Sequence, residues 1–334
     1  MSAFFNSLKS LATGATHVAG TTKYGEASNH EGGDVKVDIN IAPQPSDNGF
    51  AQWLDAMKMV ARSSEGIPHE FRKKLWLILA DRHLEQRGID WKKAEKLCFN
   101  EWTSPDDEKL GVQIVKDLHR TGCSLFCGAA ARDNQMVLRR VLLGYARWNK
   151  SVGYCQGLNV LAALILQVTD RTEVSAVKVL IYLIEGVLPE DYFAENLRGL
   201  SVDMAVFRDL LRIKLPKLSK HLESLQNNIK NNTKGSSYEP PLINVFTMQW
   251  FLTLFCHCLP QHTVLRVWDL IFLEGNEILL KTALAIWEGI SDRIITVTST
   301  DEFYCIMGVL TREMLEFTDT NILIKVMVGL FDCC

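Results

Sequence analysis

From about residue 50 onward the chain repeats one pattern. Apolar residues recur three and four positions apart, charged residues fill the gaps, and period-two alternation is almost missing. That spacing gathers apolar side chains on one face of an α-helix and leaves nothing from which to build a sheet face. In the run opening at Pro68, Phe71, Leu75, Ile78 and Leu79 share a face opposite Arg72, Lys73 and Lys74. Pro68 suits a first helical turn, where its missing N–H costs nothing. Further stripes pass through Val137, Val141, Leu142, Tyr145 and Trp148, through Val174, Val177, Ile181, Ile184 and Leu188, and through Met204, Phe207, Leu210 and Leu211. Helices are expected over 242–259, 264–273, 278–290 and 302–317, and an exposed loop over 226–237, rich in Asn, Lys and Ser. Residues 158–168 are apolar nearly all round, which places them at the centre of a core. No self-similarity of 34 or 40 residues suggests a solenoid. The pattern predicts an all-α, multi-helix fold.

The first 48 residues have a different texture. Gly, Ser, Thr, Asn and Asp dominate 13–34, and 43–48 reads as a linker. Inside this segment Val35, Val37, Ile39 and Ile41 alternate with Lys36, Asp38 and Asn40, a short strand pattern with no second strand to pair with. Residues 1–48 are therefore expected to be a disordered linker segment with one candidate strand, 49–300 the main domain, and 301–334 its C-terminal helical extension.

With 36 basic and 39 acidic residues the formal charge is -3, so no general basic field points to nucleic acid. No run of about 18 apolar residues marks a membrane span, and the N-terminus lacks a signal-peptide pattern. Nine cysteines at irregular spacing fit reduced thiols. These features lead to the expectation of a cytoplasmic protein. Cys333 and Cys334 look like a lipid-accepting pair, but an apolar helical run leads straight into them, so a chain-end feature is the simpler reading.

The usual nucleotide and hydrolase motifs are missing. There is no G-x-x-x-x-G-K-[ST] loop, no G-x-G-x-x-G turn, no G-x-S-x-G elbow and no H-E-x-x-H helix. Cys256, His257 and Cys258 are consecutive, so on a helix they face different ways, and no second ligand pair follows at zinc spacing. No cofactor or metal of its own is expected.

Two polar clusters stand out against the apolar background. In the first, Ile114, Asp117 and Arg120 lie three apart, so Asp117 can brace the Arg120 guanidinium from one helical side, and Gly122 ends the helix near it. Taken alone, this describes a solvated surface ion pair of a very common kind. In the second, Tyr154, Cys155, Gln156, Gly157 and Asn159 lead into the most apolar helix. Gly153 and Gly157 remove bulk, and a helix N-terminus would present N–H groups and a positive dipole end to an anion beside the Gln156 amide. A polar turn capping a buried helix explains the same residues equally well.

Together the clusters fit one family. The chain resembles the TBC-domain proteins, activators of Rab GTPases. The resemblance begins at Gly66-Ile67-Pro68 with Arg72 and Trp76 and continues through I-x-x-D-x-x-R-T, from Ile114 to Thr121, and Y-x-Q-G-x-N, from Tyr154 to Asn159. It extends to Trp250-Phe251-Leu252 and Arg266-Val267-Trp268-Asp269, covering roughly 66–289. The resemblance implies a TBC domain of two packed helical subdomains over 49–300. It implies a GTPase activator that catalyses no reaction of its own and meets membranes transiently, through a GTP-loaded Rab. Arg120 and Gln156 would be the catalytic fingers, with Asp117, Thr121, Tyr154, Gly157 and Asn159 supporting them, and GTP and Mg would be carried by the partner. The alternative is a catalytically silent TBC module that binds a GTPase as a scaffold. Arg72 and Trp76 read as structural, and Asp269 leans the same way. One departure is visible: where the family commonly follows Arg-Thr with a bulky residue and proline, this chain has Gly122, Cys123 and Ser124.

Overall fold

The computed structural model describes residues 42–118, 121, 131–194, 196–232 and 241–330. The expected strand at 35–41, most of the 1–48 segment, Arg120, the loop at Gly122 and Cys123, and Cys333 and Cys334 lie outside the described residues. Among the described residues there are fourteen α-helices, one π-helical turn and no strand. The chain divides into two compact units, 1–57 and 58–334. In the first, a turn closed by Ser46 N donating to Gln44 O leads into helix α1 (Gly49–Arg62), where the Phe50 and Trp53 rings lie 5.4 Å apart.

In the second unit the helices pack in two sequence-local groups. The first comprises α2 (His69–Gln86), α3 (Trp91–Cys98), α4 (Pro105–Leu118), α5 (Ala131–Trp148), α6 (Leu158–Val168) and α7 (Glu173–Ile181), with a π-turn at Tyr182–Val187. Here α5 is the hub, touching α3, α4, α6 and α7. The second comprises α8 (Arg198–Lys214), α9 (Pro216–Asn232), α10 (Leu242–Leu252), α11 (Gln261–Glu274), α12 (Glu277–Ile294), α13 (Thr300–Phe317) and α14 (Thr320–Gly329), with α12 packed on α8, α10, α11, α13 and α14. Helix starts follow the capping residues. Ser104 and Asp107 exchange backbone-to-side-chain hydrogen bonds at α4, and Asp90, Ser299 and Asp319 accept from first-turn amides of α3, α13 and α14. As its composition predicts, α6 is central: Leu158, Leu161, Ala162 and Ile165 are fully buried.

Three boundaries differ from the sequence pattern. The apolar run expected to stay helical to 259 stops at Leu252, because Leu254 and Phe255 take left-handed conformations that turn both side chains into the core. The stripe ending at Leu188 leaves α-helix geometry at Tyr182, where the π-turn begins. Residues 226–232, expected in a loop, continue α9, which Leu218, Leu222 and Leu225 anchor by burial. In each case tertiary burial outweighs local propensity.

The two groups are joined across α2 and α11 by a buried ion pair. Arg72 Nε and Nη2 donate to the Asp269 carboxylate at 2.9–3.0 Å, and Trp76 Nε1 donates to its Oδ1 at 2.9 Å. Arg72 Nη2 also donates to Ile67 O at 3.1 Å. The Trp76 ring also stacks on that of Trp268, 5.8 Å apart. Beside it the Arg266 guanidinium donates to the carbonyls of Ala61, Ser63 and Ser64. It passes so close to Gly66 that a Cβ there would sit 2.1 Å from Nε, and Gly66 has φ +66. Only glycine meets both demands. Burial pushes the Asp269 carboxyl up to about 6, against the pull of Arg72, Trp76 and Arg266, so it stays ionised at neutral pH. Arg72, Trp76 and Asp269 are thus structural; Arg72, expected opposite the apolar stripe, is instead buried on one face with Leu75, Trp76 and Leu79, because Asp269 supplies its counter-charge there.

Asp269→Asn leaves the buried Arg72 guanidinium without its counter-charge. It should cost about 3–5 kcal/mol, read from the urea midpoint, and a loss near zero would remove this pair as the link between the groups. A second test uses Asp203 of α8, a buried carboxylate with one oxygen lacking a hydrogen-bond partner. Burial raises its pKa from 3.8 to about 6. The folded state therefore holds the proton more tightly than the unfolded state, and ionising Asp203 penalises the fold above about pH 6 but not below about pH 4. Asp203→Asn should raise stability by on the order of 2 kcal/mol at pH 7.5, with the gain fading as pH falls through this window. A pH-independent difference would contradict the assignment.

Candidate functional site

The two polar clusters of the sequence meet where the end of α4 lies beside the turn that precedes α6. Tyr154 donates its hydroxyl to Asp117 Oδ2 at 2.7 Å, and both side chains are buried. Asn159, in the first turn of α6, donates from Nδ2 to Thr121 Oγ1 at 2.8 Å and accepts from Gly157 N at 3.2 Å. Thr121 Oγ1 in turn donates to Asp117 O at 3.0 Å, closing the end of α4. Asp117, Thr121, Tyr154, Gly157 and Asn159 therefore form one connected polar network although 37 or 38 residues of sequence separate its halves. A network with this many partners is costly to disrupt, because each released group is left buried.

Gln156 sits at the outer edge of this network. Its side chain is exposed, and no hydrogen bond holds its amide to other described residues. Gly157 has φ +109, a conformation that other residues resist, and its Cβ direction faces Leu252 O at 3.4 Å. The glycine is thus required by the backbone turn, and it also lines the open cleft beside Gln156. Arg120 lies outside the described residues; its neighbours in sequence, Leu118 and Thr121, are joined by Thr121 N donating to Leu118 O at 3.3 Å.

An open cleft runs from Gln156 and Asn159 past Val160 to Leu197, Met248, Leu252 and His257. Its far wall comes from α10, about 90 residues from the motif, and from Leu197, the residue before α8, about 40 residues from it. Val245 and Met248 on that wall are 39% and 38% exposed, unusual for aliphatic residues on so apolar a helix. Sequence reasoning missed this wall, and its one signal was the nearly all-round apolarity of 242–252. Burial lowers the pKa of His257 and pushes the Cys155 thiol up to about 12. The thiol therefore stays protonated at neutral pH and is no nucleophile. Among the described residues the site presents a fixed turn with an exposed amide.

A helical domain that presents a glutamine on a braced turn, beside an open cleft, is the class defined by this fold and site. The Rab-GTPase-TBC domain profile matches residues 69–295, and the chain belongs to that family. It is 59% identical to TBC1 domain family member 30 of Mus musculus over 85% of this chain and 37% of the relative. The Homo sapiens relative of the same name is also 59% identical, over 85% of this chain and 30% of its own. TBC1 domain family member 2A of Rattus norvegicus is 31% identical over 75% of this chain and 25% of the relative. The match thus spans between a quarter and a little over a third of the length of these curated relatives. Among solved structures, the Chlamydomonas flagellar RabGAP TBC domain superposes with a TM-score of 0.65 at 21% identity, covering 85% of each chain. The Ypt/Rab-GAP domain of Gyp1p gives 0.64 at 17% identity, covering 84% of this chain and 92% of that one. At those identities the structures show a shared fold. Among the described residues no helix is long and apolar enough to cross a membrane.

Tyr154→Phe keeps the ring and removes only the hydroxyl that Asp117 accepts. It should cost about 1–3 kcal/mol and speed amide hydrogen exchange at 155–157. Exchange there equal to that of the parent would mean the Tyr154–Asp117 bond does not hold the turn.

Proposed function

We propose that this chain activates a Rab-type GTPase, accelerating GTP hydrolysis in trans by supplying Arg120 and Gln156 to the partner's active site. The observation that supports it most is the exposed Gln156 on a turn braced, through Tyr154–Asp117 and Asn159–Thr121, to the residues that flank Arg120. An exposed side chain on a well-fixed backbone is what a residue acting inside another protein requires, because reach without mobility avoids an ordering cost at the transition state.

In this reading Arg120 neutralises charge developing on the transferring phosphoryl group and the leaving oxygen, and Gln156 orients the attacking water. Neither role needs a shifted pKa, since the work is positioning and fixed charge. GTP and Mg belong to the partner, the chain holds no cofactor for the reaction, and any action at a membrane comes through the partner bound there.

The test is single-turnover GTP hydrolysis by a panel of GTP-loaded Rabs. Wild type should accelerate at least one of them. Arg120→Ala should remove about 10³-fold or more of that acceleration, Gln156→Ala should be nearly inactive, and Arg120→Lys should fail because an ammonium lacks the planar fork. Binding without acceleration by any member of the panel would replace catalysis with the scaffold reading, and full activity of Arg120→Ala would exclude the arginine finger.

A further inference from the structure

The braces described so far hold the Gln156 turn from the α4 side. A second set holds it from behind, and its anchor is a residue that no motif names. Between α7 and Pro189 the chain forms the π-turn, where Leu188 N donates to Leu183 O five residues back. Such turns are rare and concentrate at functional positions. This one carries Glu185, whose carboxylate receives three donors from two other segments. Trp148 Nε1 donates to Oε1 at 2.9 Å, Asn149 Nδ2 to the same oxygen at 3.0 Å, and Arg87 Nη1 to Oε2. The Glu185 side chain is only 13% exposed, whereas Arg87 is 48% exposed.

Asn149 passes this anchorage on. It follows the last residue of α5, and its Oδ1 accepts from Val152 N at 3.1 Å and from Ser151 Oγ at 2.7 Å. Its carbonyl accepts from Gly153 N at 2.8 Å. One residue after Gly153 comes Tyr154, and two residues later Gln156. The segment 149–157 is thus held at its start by Glu185 through Asn149, in its middle by Asp117 through Tyr154, and at its end by Asn159 through Gly157.

We infer that Glu185 is a positioning residue for Gln156, acting through Asn149 on the 149–153 turn. This rests on the activator reading above. Glu185 touches no partner atom in this scheme. Its effect is on how often the Gln156 backbone occupies one conformation, and therefore on the rate at saturating partner, not on partner affinity. The outward ion pair with Arg87 is exposed on the arginine side and contributes little; the acceptor function of Oε1 is what matters.

The experiment compares Glu185→Ala, Glu185→Gln, Asn149→Ala, the Glu185→Ala/Asn149→Ala double variant and Arg87→Ala in the 334-residue chain. It reads kcat and KM for a responsive Rab, and amide exchange at Val152 and Gly153 against that of α6. Glu185→Ala should lower kcat by about 10- to 100-fold, the range for a misplaced catalytic group, with KM unchanged. Its Val152 and Gly153 amides should exchange faster while α6 stays protected. Glu185→Gln retains an acceptor for Trp148 and Asn149 and should recover most of kcat, and Arg87→Ala should match wild type. Asn149→Ala should reproduce the loss, and the double variant should lose no more than either single one, because both cut the same chain. Additive losses, an Arg87→Ala defect as large as that of Glu185→Ala, or unchanged exchange at 152–153 would overturn the inference. Should Glu185→Ala loosen α6 as well, Glu185→Gln and Asn149→Ala decide the matter alone. If wild type stimulates no Rab, the activator reading fails by itself, and the exchange measurements still show whether Glu185 orders the turn.

Discussion

The buried pair between Arg72 and Asp269 is the interaction on which the rest of the second unit depends. It joins residues 197 apart in sequence, and it does so inside the protein, where Asp269 has no exposure. An ion pair in such a place is stabilised only if its remaining hydrogen-bonding capacity is filled. Here Trp76 and Ile67 O fill it, and both charged side chains are buried, as are the neighbouring Trp76 and Trp268. The pair fixes α2 against α11, and with them the first helical group against the second. The open cleft then follows as a consequence, since one side of it belongs to α6 and the other to α10.

Within that frame the site is assembled by hydrogen bonds between side chains that are short, buried and distant in sequence. Asp117, Thr121, Tyr154 and Asn159 do not form the exposed part of the site; they spend their polar atoms on one another. Gln156 is exposed because its neighbours on both sides are committed inward. Rigidity beneath and exposure at the tip are two sides of one arrangement, and this suits the role proposed for Gln156.

Much of this was legible in the sequence, and the reasons are specific. The 3.6-residue stripes reported α2, α5, α8 and the later helices because a packed helix must bury one face. The apolarity of 158–168 reported its central place for the same reason. The two polar clusters were legible as residue types at fixed spacing, but each alone also fitted an ordinary surface pair or a capped helix start. The structure brings their supporting residues into one network. What could not be read was the end of α10, the extension of α9 and the π-turn, because each is set by burial against segments far away in the chain.

The sequence by itself determined the helical class, most of the helix faces and the motifs that carry the family, since these depend on side-chain size, polarity and local spacing. Only the tertiary structure decided that Asp117 is held by Tyr154, that Asn149 ties the glutamine turn to Glu185, and that Val245 and Met248 stand across the cleft from Gln156. The physical reason is range. Periodicity and capping act over one or two turns of helix, whereas a hydrogen bond between buried side chains exists only after the packing of whole helices has brought its donor and acceptor within about 3 Å.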